Sequence, residues 1–173
     1  MKNLQARTQN QKGFTLVEIA IVLVIIGLLL GGVLKGQELI QNSKVKSVTQ
    51  DFENISAAHY AYKDRTGDYP SDTEETNAAY WFDLKTEGFI SGPLLAVTTT
   101  VGPDHALDGV FTYSVAADGG FAADTKHICA SNIDGADAIN MDNKLDDGVF
   151  STGTIRAAAD YVVDTKALLC REI

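Results

Sequence analysis

The 173-residue chain has little of what most enzymes and nucleic-acid binders are built from. Its three histidines, His59, His105 and His127, form no His-x-x-x-His pair, and there is no Cys-x-x-Cys, no Gly-x-Ser-x-Gly and no phosphate-cradling glycine loop. Those patterns hold a metal, a nucleophile or a phosphate against fixed partners, so without them nothing in the sequence points to catalysis. Positive charge is scarce as well: 14 Lys and Arg face 23 Asp and Glu, a formal net charge of -9. That sign repels a phosphate backbone, and nucleic acid is not an expected partner. Cysteine is limited to Cys129 and Cys170, and one globular domain is the most that this length ordinarily fills.

What the sequence does have is unevenly placed. From Phe14 to Leu34 it runs apolar with one charge, Glu18. As a helix that run is about 31 Å long, the thickness of a bilayer core. The preceding 13 residues carry Lys2, Arg7 and Lys12 and no acid. Positive flanks stay on the cytoplasmic side, so the expected topology is a single span with residues 1–13 inside and everything after Leu34 outside. Both cysteines then lie in the exported part, where an oxidising compartment favours a disulfide over free thiols.

A secretory signal of the usual kind has a shorter apolar stretch followed by a small-residue cleavage site. Here no Ala-x-Ala separates the apolar run from Lys35, and the small residue precedes the run, in Lys12-Gly13-Phe14-Thr15-Leu16-Val17-Glu18. A basic leader ending in Gly, then Phe, then Thr-Leu-x-Glu opening a long apolar helix resembles the class III signal of type IV pilins and of the pseudopilins of type II secretion. The resemblance implies cleavage by a prepilin peptidase between Gly13 and Phe14, N-methylation of Phe14, and pairing of Glu18 with the Phe14 amine of a neighbouring subunit during assembly. Glu18 invites a role on physical grounds too, because a carboxylate in a spanning helix is costly without a partner. The competing reading is that it snorkels to the interface and favours the positive end of the helix dipole.

The helix is expected to continue. Val45, Val48, Phe52, Ile55, His59 and Tyr62 are spaced three or four apart and draw one stripe, while most charged residues of that stretch fall elsewhere. The spine therefore reads as an apolar half over 14–35 and an amphipathic half over 36–66, ending at Gly67 and the Tyr69-Pro70 step. No proline follows the apolar run, where many pilins carry one. Gly31, Gly32 and Gly36 make this the weakest part of the helix and the expected place for it to extend or melt on assembly, with close helix packing as the alternative.

Residues 67–173 are expected to form the head. Tyr80 to Gly88 reads as a short helix followed by a turn at Ser91-Gly92-Pro93, and Gly109 to Val115 and Phe121 to Ser131 read as a hairpin around Asp118-Gly119-Gly120. Tyr161 to Cys170 is a third strand, and a short helix over Ala136 to Leu145 ends at Gly148. A Cys129 to Cys170 bond would staple the second and third strands, and a disulfide bounding a C-terminal region, here 129–170, is common in type IV pilins. The fold class is thus α+β, with a long N-terminal helix on a small antiparallel sheet, as in type IV pilins.

Asp142, Asp146 and Asp147 form a candidate calcium cluster, since hard cations take oxygen ligands and the resemblance to pseudopilins implies such a site in a C-terminal loop. The EF-hand pattern fails from Asp142 onward, and helix capping with a solvated acidic face competes with metal. No cofactor is otherwise expected. The function implied is that of a structural pilus subunit, with a type II secretion pseudopilin as the alternative. Its partners are other pilins, the peptidase, an inner-membrane platform and a cytoplasmic ATPase. Its location is the inner membrane before assembly, then the pilus or a periplasmic pseudopilus.

Overall fold

The computed structural model describes residues 13, 15–72, 76–91, 102–163 and 165–173. The leader to Lys12, Phe14 and the Gly92-Pro93 step of the expected turn lie outside the described residues. The chain divides into two units, 1–41 and 42–173.

The first unit is the opening of α1 (Leu16–Thr66), a helix of 51 residues. Its large apolar side chains from Leu16 to Leu34 are 46% to 91% exposed, so no described residue of the unit covers them. By length and composition this part of the helix can cross a membrane. The backbone stays helical through Gly31, Gly32 and Gly36, and among the described residues a Cβ at any of the three would meet no atom within 4 Å apart from the helix's own backbone.

In the second unit, α1 buries Val45, Val48, Phe52, Ile55, Ala58 and His59, with Tyr62 half-buried on the same stripe. The stripe packs on a five-stranded antiparallel sheet in the order β1-β2-β3-β5-β4. The strands are β1 (Asp104–His105), β2 (Gly109–Ser114), β3 (His127–Asp134), β4 (Ile155–Ala157) and β5 (Lys166–Glu172). Alternation along β2 turns Phe111 and Tyr113 to the core, where Phe52 meets Phe111 edge-on at 5.2 Å. Ile128, Ala130, Ile133, Ile155 and Leu169 complete that face with Tyr80, Trp81 and Leu84 of α2 (Asn77–Thr86).

A column of rings runs through this core. His59 stacks on Tyr69 at 4.8 Å and on Tyr80 at 5.9 Å, and Tyr80 stacks in turn on Tyr113 at 4.2 Å. Lys63 lies 3.7 Å over the outer face of the column, at Tyr69.

The boundaries differ from expectation where a side chain outweighs the local pattern. Helix α2 starts at Asn77 because the Thr76 hydroxyl accepts from the Ala79 N–H, and Glu87 and Gly88 end it. Strand β3 starts at His127 and not at Phe121: Gly119, Gly120 and Asp124 all have positive φ, which keeps residues 118–126 out of a ladder. Strand β5 starts at Lys166 and not at Tyr161, because Tyr161 turns inward and the Thr165 N–H closes a turn on the Val162 carbonyl. Strands β1 and β4, two and three residues long, were too short to leave a pattern in the sequence. Helix α3 (Gly135–Leu145) matches expectation, with Asp134 as its cap.

Candidate functional site

At the start of α1, Thr15 and Glu18 satisfy one another. The Thr15 N–H and hydroxyl both donate to Glu18 Oε2 at 2.9 Å, and the Glu18 N–H donates to Thr15 Oγ1 at 3.2 Å. This reciprocal arrangement is a capping box, and its signal, Thr-x-x-Glu ahead of an apolar run, was present in the sequence but was not read as such. It gives Glu18 an intrachain partner and fills backbone donors that a helix start leaves open. Gly13 is exposed, and Phe14, the proposed partner of Glu18, lies outside the described residues.

Cys129 and Cys170 are bonded, as expected. They are direct register partners in the antiparallel β3 and β5 pair, so the bond joins two strands that are already hydrogen-bonded. Both residues are buried, on the sheet face opposite Ile128 and Ala130, with Phe121 packed against them. The turn at Gly119 covers the sulfurs: φ there is +54°, and a Cβ would stand 2.0 Å from Cys170 Sγ. Fully buried His127 lies on the same face two residues before Cys129, bonded to the Asp118 carboxylate through Nε2 and to the Thr125 carbonyl through Nδ1 at 2.7 Å. The pairing of His127 with Asp118 depends on the shape of the turn and has no local signal in the sequence.

The third expected site, Asp142, Asp146 and Asp147, also comes together, with one carboxylate oxygen of each lying within 4.8 Å of the others. These acids already serve the protein's own backbone. Asp146 Oδ2 accepts the N–H groups of Thr154 and Ile155, and Asp147 accepts the Val149 N–H at 2.8 Å and the Thr152 hydroxyl at 2.6 Å. Hydrogen bonds from the Thr152 hydroxyl and the Val149 N–H hold the Asp147 carboxyl below its ordinary range. Asp142 is fully buried and accepts the Tyr161 hydroxyl at 2.7 Å; burial pushes its carboxyl up. A cation placed here would compete with caps that shape the 146–155 loop.

Residues 8–34 match the family model described as the prokaryotic N-terminal methylation motif. The match spans the end of the basic leader, the Gly13 to Glu18 signal and the apolar run. No curated protein matches the chain. Among solved structures, the major type IV pilin PilA1 from Clostridium difficile is similar over 75% of this chain and 93% of its own, at 12% identity and a TM-score of 0.43.

Proposed function

We propose that the chain is a structural subunit of a type IV pilus. The observation that carries this reading is the continuity of the methylation motif with a 51-residue helix, apolar in its first half and striped in its second. On this reading the peptidase cuts between Gly13 and Phe14, Phe14 is methylated, and the exposed apolar part of α1 polymerises against copies of itself or of related pilins. An inner-membrane platform and its ATPase drive that step, and the subunit waits in the inner membrane as a single N-in span. The chain acts as an assembly element and not as an enzyme. Among the described residues, a Cβ at Gly31, Gly32 or Gly36 would meet no atom within 4 Å apart from the helix's own backbone, which supports a role for them in the filament, either as the segment that extends or as a close packing face.

A pseudopilin of a type II secretion system is the second reading, because the motif is common to both. The Cys129–Cys170 bond favours the pilus, and cation binding at Asp142, Asp146 and Asp147 would favour the pseudopilus. The deciding experiment begins with the intact mass of membrane-extracted protein, with and without reductant. A mass that starts at Phe14, carries one methyl group and gains two hydrogens on reduction is expected; an uncut N-terminus would overturn the reading. Electron microscopy of filaments made by cells holding this subunit then separates a surface pilus from a periplasmic pseudopilus.

A further inference from the structure

Glu18 is the one charged side chain between Leu16 and Leu34, and the next cation along α1, Lys35, is 17 residues away, about 25 Å at the helical rise. Among the described residues its carboxylate is met by Thr15 alone. The Thr15 N–H and hydroxyl both donate to Oε2, and no described residue donates to Oε1. Glu18 is exposed, so Oε1 is open to a donor from outside the chain. Thr15 Oγ1 makes two bonds of different kind. As acceptor it takes the Glu18 backbone N–H at 3.2 Å, a group that any residue at position 18 would offer. As donor, at 2.9 Å, it needs the carboxylate. A capping box is complete with its two backbone bonds, so the bond from hydroxyl to carboxylate adds nothing to the helix start. What it does is fix the direction of one side chain.

We infer that Thr15 is a positioning residue for assembly: its N–H and hydroxyl hold Glu18 by Oε2 and so present Oε1, in one direction, to a cationic donor on a neighbouring copy of the chain. The inference rests on the pilus reading, in which that donor is the Phe14 amine. A glutamate with free χ angles gives up its rotamers when the pair forms, whereas one already held has none left to lose, and the pairing is correspondingly tighter. The carboxylate retains the capacity for it, because its second oxygen has lone pairs of its own. Thr15 takes no part in the ion pair and acts only through Glu18.

The test coexpresses a variant subunit, in excess, with the wild-type chain. Its readout is incorporation: mature variant in sheared filaments divided by mature variant in membranes, from mass spectrometry of the N-terminal peptide. Dividing by the membrane pool removes any effect on cleavage, and the excess keeps weak incorporation measurable. Thr15→Val has the same shape without the hydroxyl and should be incorporated about three- to tenfold less than wild type; Thr15→Ser keeps the hydroxyl and should stay close to wild type. A Glu18→Ala background separates positioning from capping, since the N–H of residue 18 still calls for the Thr15 oxygen there while the carboxylate is gone. Positioning predicts that Thr15→Val costs nothing further in that background. Two losses that multiply would make Thr15 a helix cap only and overturn the proposal, as would Thr15→Val incorporated at parity beside a wild-type Glu18. A wild-type chain that builds no filament would remove the pilus reading and the proposal with it, whereas filaments that admit Thr15→Val at parity remove the proposal alone.

Discussion

The hydroxyl of Tyr161 donates to the buried carboxylate of Asp142 at 2.7 Å, tying the loop before β5 to the last turn of α3. Removing that hydroxyl leaves a buried carboxylate without its side-chain donor. Tyr161→Phe should therefore destabilise the chain by about 1 to 3 kcal/mol, although it deletes one atom and leaves the ring in place. Urea unfolding followed by circular dichroism checks this, and an unchanged midpoint would show that solvent replaces the hydroxyl.

His59 gives the second unit an acid-sensitive core. It is 1% exposed, its Nδ1 has no hydrogen-bond partner among the described residues, and Lys126 and Lys63 stand nearby. Burial first, then those two cations, lower its pKa from 6.5 to about 4. The unfolded chain thus binds the proton more readily than the folded one. Stability contributed by neutral His59 is fully present above about pH 6.5 and is lost as pH falls toward 4, by about 3 kcal/mol. Carboxylates titrate in part of the same window, so the informative quantity is the difference between wild type and His59→Phe. Their stabilities should converge or cross as pH falls from 7 to 4, and parallel curves would remove His59 as the cause.

How much of this was legible beforehand follows from the range of each interaction. The spine was legible because its signals are periodic and repeat over many turns: Val45, Val48, Phe52, Ile55, His59 and Tyr62 fall where the spacing puts them. The bond between Cys129 and Cys170 was legible because the chain offers only one pairing. The Thr15 and Glu18 box is local and could have been read from four residues. Tyr161 was taken for a strand residue because β propensity is shared by strands and by aromatic side chains that fill cores. Its bond to Asp142 spans 19 positions, and no local pattern announces such a contact. The same holds for Asp118 and His127, which meet only because Gly119 and Gly120 adopt positive φ.

Calcium offers a test that separates caps from ligands. Since Asp146 and Asp147 already accept from the 149–155 loop, the pilus reading expects millimolar calcium or a chelator to leave the melting temperature of the mature protein within about 1 °C. A rise of several degrees that is lost in Asp147→Asn would show a bound cation and move the balance toward the pseudopilin.

Gly13 is the residue on which processing turns. Gly13→Val should leave a full-length precursor in the inner membrane, seen as an unprocessed mass that still contains Lys2, Arg7 and Lys12. Normal mature protein from this variant would remove the prepilin assignment.

Glu18 has two separable duties, and one substitution distinguishes them. Glutamine at this position keeps a side-chain acceptor for Thr15 and so preserves the capping box, but it removes the charge that a Phe14 amine would pair with. Alanine removes both. If assembly needs only a well-started helix, Glu18→Gln should build filaments at wild-type yield and Glu18→Ala should not. If it needs the ion pair, both should be cleaved normally and both should fail when no wild-type subunit is present. A buried charge left unpaired costs several kcal/mol, so in that case the loss should be at least tenfold in sheared filament mass, and equally deep in the two variants.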